Sequence, residues 1–573
     1  MLHGRSDHGI TKGPSSRSFC GSLIIFLLIS FLGQCFPSGR SFAADWTTLV
    51  QPTGTLVTVL DPIQVNAYLA GKGYTNPPFD TGTRVTDIIT TKELNFVRVY
   101  SPPGNAAGSW IMRASTIRGL TPAQIKVAFA LPSLPTRIVY VAVPAGSTVY
   151  TGIAGPIPSW GNGGAQQSYL YYYIPRGSFE HDQPLGNRAL LYAPALGDTG
   201  NAGRVAAYLD GLTPAPYSNL ESVYSALDYL NYGDPAPLRA ALNQIDPERY
   251  EAFTRIAIRN ELLFGNAVAQ RGSFSADPAT THAVDVDSGP CAPWGQRDLN
   301  IWFGGIGEFG SQADSGDHTG FAFNTGGIVF GMNILRYEKL VLGAATGYLG
   351  TNLDWNIGGG DAHLDNTQWG IYGQYGDSTG FFLDALTAGG YESGTANRNI
   401  NFPQVDQVAH ADIDGFDMTA QVRGGYTFRI ADWSVSPVAA LSYFLTSRDN
   451  FTETGADGLN LNVRFREGHT FRSRLGVKAG KQISINGMPA APSLELAWAH
   501  EAPLDDRAIA AGLSGQPGSF TIYGLNGDID SLVVNAGLRG QLTANTSLST
   551  GYQAEIGDRF TSQQVDVRLV HTF

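Results

Sequence analysis

The residues near the C-terminal end that are best suited to chemistry are charged side chains that recur at every second position. Arg423 lies between Val422 and Gly424, and three further basic residues alternate with apolar ones in a later segment. Because successive side chains on a β-strand point to opposite faces, the charges share one face and the apolar residues the other. A charged side chain facing lipid near the membrane midplane would cost about 2–4 kcal/mol. The basic residues predicted to face a polar interior are Arg423, Arg472, Arg474 and Lys478.

The last ten residues show the same alternation and end on an aromatic residue, Phe573. A strand with Asp566 and Arg568 on one face and valines on the other suits a membrane barrel, which is apolar outside and polar within. A soluble antiparallel sheet is the alternative for this strand alone. From Arg297 onwards, about twelve such strands alternate with turns rich in Gly, Asp and Asn. They start near residues 298, 319, 339, 364, 380, 414, 433, 459, 471, 492, 529 and 545. An even number lets the sheet close on itself.

The composition supports this interpretation and excludes other classes of protein. The chain has 573 residues, of which 70 are Gly, 11% are aromatic and 15% are charged. This mixture favours glycine-kinked β-structure with aromatic girdles over helices. After residue 40, no stretch offers the about twenty consecutive apolar residues that a membrane helix needs. The formal net charge of −12 argues against nucleic-acid binding, which requires a basic face.

Sequence motifs for metal sites and hydrolases are absent. The ten His residues form no HExxH motif, and the chain contains no CxxC and no GxSxG. The glycines at 358–360 lack the Lys of a phosphate-binding loop and are typical of a turn. We therefore predict no metal site and no tightly bound cofactor.

The N-terminal segment has the organisation of an export signal. Basic residues precede an apolar core at Leu23–Gly33, and residues 41–43 offer a cleavage site of small residues. We assign residues 1–43 to a signal peptide for the Sec export machinery. Lipidation at Cys35 is disfavoured because a bulky glutamine precedes it. The mature chain would keep one cysteine, Cys291, and could form no internal disulfide.

A long helix is predicted just before the barrel. Asp246 and Pro247 form an N-cap and a first-turn proline, and apolar residues recur at helical spacing towards Arg271. A helix of about 25 residues would be about 37 Å long, enough to cross a membrane. It carries several Arg and Glu residues and cannot lie in lipid, so we place it in the polar lumen. A surface or domain-packing helix is the alternative.

These segments resemble a known family. Residues 238–271, followed by FTETGADGLNLNV at Phe451–Val463 and RSRLG at Arg472–Gly476, are similar to the linker helix and translocator of type V autotransporters. The resemblance covers about residues 219–573. It implies a twelve-stranded outer-membrane barrel whose linker threads the lumen, and a passenger delivered to the surface of a Gram-negative cell. It also implies that outer-membrane lipid and the barrel-assembly machinery are partners. The linker helix has no Asn-Asn pair, where some families are cleaved, so the passenger can stay attached.

The passenger, residues 45–217, is predicted to be a small α+β module. Strands are expected at Phe96–Tyr100, Arg137–Val143 and Tyr169–Ile174, with a short helix opening at Thr121. Repeats of the kind that build a β-helix stalk are absent. The three tyrosines at 171–173 are expected to pack within a strand rather than form a stacking surface. Residues 218–296 are assigned to the linker and pre-barrel segment, and residues 297–573 to the barrel.

A second resemblance concerns residues 96–170. The segments FVRVY, GSWIM, GLTPAQI, FALPSLPT, VPAGSTVYTGIAGP and GNGGAQQ follow an order similar to C-terminal modules of polymorphic toxins of the ADP-ribosyltransferase-like and NAD-glycohydrolase-like kinds. This resemblance implies that Arg98 binds the phosphates of NAD through two hydrogen bonds of its guanidinium and that Ser109 contacts a ribose. It also implies that Gln166 or Gln167 lies near the scissile bond. No Glu stands beside these glutamines, which leaves NAD cleavage rather than protein ADP-ribosylation. The plainer alternative is a surface ion pair at Arg98 and a glycine turn before the glutamines.

Three functions are therefore compatible with the sequence. The barrel could carry a surface module that binds a host or neighbouring cell, or it could carry an NAD-cleaving enzyme. A porin plugged by its own N-terminal part is the third. The linker helix argues against the porin, whose lumen must stay open, and incubation of the module with NAD distinguishes the first two.

The C-terminal aromatic residue gives a direct test of the barrel assignment. We expect deletion of Phe573, or its replacement by Asp, to impair barrel assembly, because an apolar terminal ring faces lipid and, by family resemblance, marks the chain for assembly. The measurement is the amount of heat-modifiable barrel in the outer membrane, with Phe573→Tyr as a control. A normal amount of barrel in the Asp variant would contradict this assignment.

Overall fold

The computed structural model describes residues 54–572 apart from 198, 217, 270–299, 338, 357, 377–378, 486, 526 and 544. The predicted signal peptide and Phe573 lie outside the described residues. Among the helices that the structure describes, none combines the length and the hydropathy needed to cross a membrane.

The N-terminal part is an α+β lobe built from two antiparallel sheets, as predicted. Its elements are β1 Gly54–Leu60, α1 Pro62–Gly71, β2 Val85–Thr90, β3 Leu94–Tyr100, β4 Trp110–Ile111, α2 Pro122–Ala128, β5 Arg137–Val143, β6 Thr148–Ile153, β7 Gln166–Leu170 and β8 Phe179–Pro184. One sheet has the strand order β1-β2-β6-β7-β4 and the other β3-β5-β8. Thr121 caps the short helix α2 in a reciprocal capping box with Gln124, which confirms the helix start.

One expectation for this lobe is wrong. The predicted strand Tyr169–Ile174 ends early, because β7 stops at Leu170. Tyr172 is 68% exposed and Tyr173 is 94% exposed, so these rings do not pack within a strand. The run of three tyrosines has high strand propensity, but no partner strand is present beside it in the described chain to continue the ladder.

Four helices follow the α+β lobe; the first two were not predicted, and the other two lie in the segment assigned to a helical linker, without having been predicted individually. We call them the helical cap: α3 Tyr192–Leu196, α4 Asn201–Asp210, α5 Asn219–Leu230 and α6 Ala236–Ile245. Their buried residues recur every three or four positions, as in Val205 and Leu209 of α4 or Leu220, Val223 and Leu227 of α5. This periodicity is present in the sequence but is spread over helices of only 5 to 12 residues.

The C-terminal part is a closed antiparallel barrel of twelve long strands, as predicted. The twelve strands are β9 Asn300–Gln312, β10 Phe321–Tyr337, β11 Leu340–Trp355, β12 Gly360–Gly376, β13 Gly380–Phe402, β14 Val405–Ile430, β15 Trp433–Arg448, β18 Gly468–Lys481, β20 Met488–Pro503, β23 Ile529–Thr543, β24 Thr546–Gly557 and β25 Phe560–Thr572. Each strand pairs with its neighbour in this order, and the pairing of β25 with β9 completes the ring. β18 and β20 pair directly, with the short strand β19 (Ile483–Ile485) in the turn between them.

The number of strands was predicted correctly, but one assignment was wrong. The segment near residue 459 forms β17 (Leu461–Phe465), which belongs to a separate four-stranded sheet with β16 (Phe451–Thr452), β21 (Ala508–Leu513) and β22 (Phe520–Tyr523). Its place in the barrel is taken by the final strand β25, which follows β24 after a tight turn. A short alternating segment has the same local pattern in either sheet, so its pairing partner cannot be read from period two alone.

The two ends of the barrel differ in their connections. At one end strands are joined by tight turns, such as the pair Ile430 and Trp433. At the other end, residues 449–467 and 504–528 form long loops that contain the four-stranded sheet. Outer-membrane barrels have short periplasmic turns and longer extracellular loops. The long-loop end is therefore the outer end.

The helical cap lies against this outer end. Its buried apolar residues share one core with the walls and loops of the barrel, including Ile400, Leu461, Leu513 and Ile522. Hydrogen bonds add to the packing: Asn201 on α4 exchanges two with the backbone of Tyr523, at 3.0 and 3.2 Å. β13 and β14 have 23 and 26 residues, whereas about 9–11 residues suffice to cross a membrane. The additional length forms a wall around the cap.

After the cap, the chain enters the barrel as a helix, as predicted. A 3-10 turn at Glu248–Tyr250 leads into α7 (Glu251–Ala269). Asp246 Oδ1 accepts a hydrogen bond from the backbone N–H of Glu248 at 3.0 Å and so caps this entry. Residues of α7 are buried on all sides, which distinguishes it from a surface helix.

A buried ion pair joins the α+β lobe to the cap. Both carboxylate oxygens of Asp228 on α5 lie 2.6 Å from Nη2 of Arg118, and Tyr192 donates to the same carboxylate at 2.9 Å. The Arg118 guanidinium also lies over the rings of Tyr192 and Tyr224, at 4.7 and 4.8 Å. Burial alone would lower the pKa of Arg118, but the charge of Asp228 raises it above its ordinary value. Lobe and cap are therefore held as one module.

We expect Asp228→Ala to weaken this junction by about 3–5 kcal/mol, because it leaves the Arg118 charge buried without its partner. The double variant Arg118→Met with Asp228→Leu removes both charges and should lose less. Limited proteolysis of the full chain in detergent measures the effect as faster cleavage within residues 185–235. Equal cleavage of Asp228→Ala and the unaltered protein would contradict a stabilising role.

Candidate functional site: the helix-filled barrel lumen

The lumen is organised around the charged residues of α7. Arg259 is 1% exposed and meets carboxylates from both ends of the barrel sequence. Its Nε donates to Glu308 on β9 at 2.8 Å, and its Nη1 donates to Glu555 on β24 at 2.8 Å. Nη2 also donates to Ser562 on β25 at 2.8 Å. The contacts to the two carboxylates are charge-assisted hydrogen bonds, the stronger kind in proteins.

A second Arg of the helix extends the network across the lumen. Arg255 lies 2.5 Å from Glu501 on β20. Arg472 on β18 also binds Glu501, at 3.2 Å, and binds Glu555 at 2.9 Å. Helix and wall are thus linked by a continuous chain of alternating charges through Glu555, which Arg259 and Arg472 share.

The four basic residues named from the sequence lie within this lumen. Arg472 takes part in the network just described. Nearer the periplasmic end, Arg474 and Arg423 share Glu495, at 2.6 and 3.1 Å. Lys478 lines the same cavity as these residues, while Val422 and Val477 on the opposite faces are 46% and 51% exposed to the membrane side.

A cavity of about 120 Å³ remains at the periplasmic end of α7. Its wall is rich in basic side chains, with Glu495 and Asp384 among the acidic ones. Along the rest of α7, the described side chains of the helix contact the barrel wall and are buried. The helix therefore occupies the lumen along its length, with most of its side chains buried against the wall.

The outer half of the lumen is closed by further ion pairs. Arg398 binds Glu453 with 2.6 and 2.8 Å contacts, and Tyr250 donates to Glu453 as well. Arg507, from a long loop, binds Glu251 at the start of α7 at 2.6 Å. These contacts join the helix entry to the outer loops of the barrel.

A contact at the mouth involves His318 in the loop between β9 and β10. Its Nδ1 lies 2.9 Å from Oε1 of Glu248. This hydrogen bond raises the pKa of His318 above its ordinary value. The loop is therefore fastened to the entry of the helix.

One buried carboxylate has no such partner. Glu261 on α7 is 1% exposed, and neither of its oxygens has a hydrogen-bond partner among the described residues. It interacts electrostatically with Asp417 and Glu392 on the wall, whose nearby cation is Arg448 at 2.8 and 3.0 Å. Asp417 and Glu392 thus share one guanidinium, and Glu261 adds a third buried carboxylate beside them.

The predicted NAD site is distributed over the two sheets of the α+β lobe. Arg98 lies on β3, where Nη1 donates to the carbonyl of Trp110 at 3.0 Å and Nε to that of Asn105 at 3.3 Å. Burial lowers the pKa of Arg98. Gln166 and Gln167 lie on β7 of the other sheet, and Gln167 Nε2 donates to the carbonyl of Pro78 at 2.8 Å.

Ser109, the predicted ribose contact, immediately precedes β4, and its carbonyl accepts from the backbone N–H of Leu170. The guanidinium of Arg98 covers Gly108, where an added Cβ would lie 2.5 Å from Cζ. The contacts of Arg98 occupy donors that phosphate binding would use. A role for these residues in NAD binding stays a prediction.

The acidic partners in the lumen were not named from the sequence. Glu308 and Glu555 directly precede the outward-facing Phe309 and Ile556, so the period-two pattern places these two carboxylates inward. Glu495 falls between Leu494 and Leu496 in the same way. Glu501 lies between His500 and Ala502, where the pattern gives no such indication. For the other three, the pattern could have indicated their direction, but not which Arg each one binds.

Glu261 and Arg259 provide a matched pair of tests two residues apart on one helix. We expect Glu261→Gln to stabilise the folded barrel by about 1–3 kcal/mol, because it removes a buried charge that has no hydrogen-bond partner among the described residues. Arg259→Gln should destabilise it by about 3–5 kcal/mol, because Glu308 and Glu555 lose their shared cation. The midpoint of heat-induced unfolding, followed by mobility on detergent gels, measures both. A lower midpoint for Glu261→Gln would show that the carboxylate is stabilised in a way the contacts do not explain.

Comparison with known proteins agrees with this geometry. Residues 301–553 match the family model described as Autotransporter beta-domain. An extracellular serine protease of Serratia marcescens is 24% identical over 279 residues, which are 48% of this chain and 26% of that protein. Outer membrane protein A of Rickettsia conorii is 23% identical over 334 residues, or 55% of this chain and 16% of that protein. The chain thus spans less than a third of the length of these relatives.

Solved structures give similar matches. The translocator domain of autotransporter NalP from Neisseria meningitidis superposes with a TM-score of 0.39 and 15% identity, covering 48% of this chain and 88% of that one. The β-domain of the Bordetella autotransporter BrkA gives a TM-score of 0.37 and 17% identity, covering 48% and 100%.

The family match falls on the part of the chain that forms the closed ring of strands around the charged helix α7. This segment, residues 301–553, is therefore similar to autotransporter β-domains in sequence and forms the greater part of a closed antiparallel barrel.

Proposed function

We propose that this protein is a type V autotransporter that keeps its own N-terminal module attached at the cell surface as a lid on the barrel. The observation that carries the proposal is the shared apolar core of the helical cap and the outer loops of the barrel. A passenger destined for release would not need its last helices to be part of the core of the translocator.

Two further features support retention. The α+β lobe is joined to the cap by the buried pair of Arg118 and Asp228, so the whole module moves with the cap. The cap continues directly into α7, which is held in the lumen by Arg255 and Arg259. Each attachment would have to be broken before the module could leave the barrel.

The proposal includes partners that the comparisons do not test. Export would use the Sec machinery, and insertion of the barrel would use the barrel-assembly machinery of the outer membrane. The band of apolar residues on the barrel exterior, with rings such as Trp369, Phe381 and Trp433 exposed, would contact outer-membrane lipid.

The functions that the sequence left open are not equally supported. A plugged channel is not favoured, because residues 301–553 match the autotransporter β-domain model. NAD cleavage by the module stays a prediction of the weaker resemblance. A surface binding function is compatible with a lid that faces outward.

The test places a specific protease site in the exposed loop at residues 213–216, between α4 and α5. Cells carrying this variant are treated with the protease from outside, and both fragments are followed with antibodies to the α+β lobe and to the barrel. We expect cleavage on intact cells, because the loop faces outward, and we expect the N-terminal fragment to stay with the membrane, because α4 packs into the shared core.

Two controls sharpen the result. The unaltered protein should remain a full-length chain in the outer membrane, and addition of urea after cleavage should release the N-terminal fragment. Release of the fragment without urea, or a processed barrel in untreated cells, would overturn retention. Cleavage only after cell lysis would overturn the surface location.

A further inference from the structure

The α+β lobe carries a cluster of tyrosines that has no role in the barrel or in its lid. Tyr171 stacks on Tyr68 with ring centroids 5.5 Å apart and an interplanar angle of 13°. Tyr150 lies 5.1 Å from Tyr171, and Tyr172 meets the same ring edge-on at 4.7 Å. Tyr172 and Tyr173 project outward, at 68% and 94% exposure. We call these five residues the tyrosine surface.

Its exposure is unusual for rings of this size. Burial of an aromatic ring is strongly favourable, and a group of rings left in water marks a binding site more often than a packing defect. The inner three rings are held in place: Tyr68 is on α1, Tyr150 is on β6, and Tyr171 directly follows β7. The outer two are therefore presented from a rigid base.

Two charged residues border the tyrosine surface. Lys72 places its ammonium 5.5 Å from the ring centroid of Tyr68. Asp87 on β2 lies directly opposite Tyr150 in the strand register. Its Oδ1 is buried and has no hydrogen-bond partner among the described residues, while the residue as a whole is partly exposed, and burial raises its pKa. The surface thus has an ammonium donor on one side and a partly exposed carboxylate on the other.

This combination distinguishes between classes of ligand. A cationic ligand would meet the ammonium of Lys72, which already occupies the face of Tyr68. A purely apolar ligand would cover the Asp87 carboxylate without supplying a hydrogen bond, which costs about 1–3 kcal/mol. A pyranose ring avoids both penalties, because its C–H groups can contact the negative faces of the rings while its hydroxyls donate to Asp87 and accept from Lys72.

We propose that the tyrosine surface, with Asp87 and Lys72 at its border, is a binding site for saccharide chains on the α+β lobe. This inference goes beyond retention of the module, and it holds whether or not the module stays attached. Binding would be to the sugar rings of a polysaccharide or glycan that meets the bacterial surface.

The test uses the full chain in a polyoxyethylene detergent, because detergents with sugar head groups would compete. Isothermal titration is carried out with hexasaccharides of glucose, N-acetylglucosamine, mannose and a uronic acid, and separately with tetramethylammonium. We expect at least one hexasaccharide to bind and tetramethylammonium not to bind.

Variants then locate the site. Tyr172→Ala should weaken hexasaccharide binding at least tenfold, Asp87→Asn should weaken it several-fold, and Tyr172→Phe should retain most of it because the ring remains. Leu134→Ala removes another exposed side chain of the same lobe, 49% exposed, and should have no effect. Unchanged limited proteolysis of the α+β lobe confirms that each variant is folded.

Three results would overturn the proposal. They are the absence of binding to every hexasaccharide, equal binding by the unaltered protein and Tyr172→Ala, and binding of tetramethylammonium alone. The last result would indicate a cation-binding site instead. Retention of the module is measured independently by the protease experiment, so either proposal can fail without the other.

Discussion

The two buried arginines of α7, Arg255 and Arg259, are paired with carboxylates of the barrel wall, and the position of the rest of the chain depends on this pairing. Arg259 lies between Glu308 and Glu555, both almost completely buried. For buried ion pairs, the attraction between charges roughly offsets the loss of hydration, while removal of one partner costs several kcal/mol. The network therefore selects one register of the helix more than it adds stability. A slip by one helical turn, about 5.4 Å, would separate Arg259 from both carboxylates.

The fixed position of α7 divides the barrel into two regions with different chemistry. In the membrane-spanning part, helix and wall contact each other through ion pairs, as at Arg255 and Glu501, and through a smaller apolar cluster that includes Phe264. Beyond the outer end of α7, the filling becomes apolar, and the helical cap packs against residues such as Ile400 and Leu513. A polar lumen suits a segment that has to pass through it during export. An apolar core at the outer end suits a segment that stays there.

The N-terminal module uses aromatic rings in two opposite ways. At the junction of lobe and cap, Tyr192 and Tyr224 are buried and cover the guanidinium of Arg118. On the free surface, Tyr172 and Tyr173 are exposed and remain largely uncovered within the described chain. In the first arrangement, the rings keep water away from the guanidinium whose ion pair attaches the module. The second leaves apolar area available, which is the physical requirement for binding a ligand at a bacterial surface.

The sequence alone determined the features that depend on local period. Alternation with period two identified the barrel strands. It also placed Val422 and Val477 on the outer face of the barrel, because strand geometry fixes the direction of each side chain. The Arg and Glu residues of α7 likewise exclude a position in lipid from their charge alone, because an unpaired charge in the bilayer is costly wherever the helix packs.

Features that depend on contacts between distant residues were decided by the tertiary structure. Arg259 and Glu555 are 296 residues apart, and no local pattern relates them. The segment at Leu461–Phe465 alternates like a barrel strand but pairs with β21 in a loop sheet. The three tyrosines at 171–173 have high strand propensity, yet they extend beyond the end of β7 because no neighbouring strand of the described chain continues there. Local propensity sets which way a side chain points, whereas the partner it meets depends on which elements the whole fold brings together.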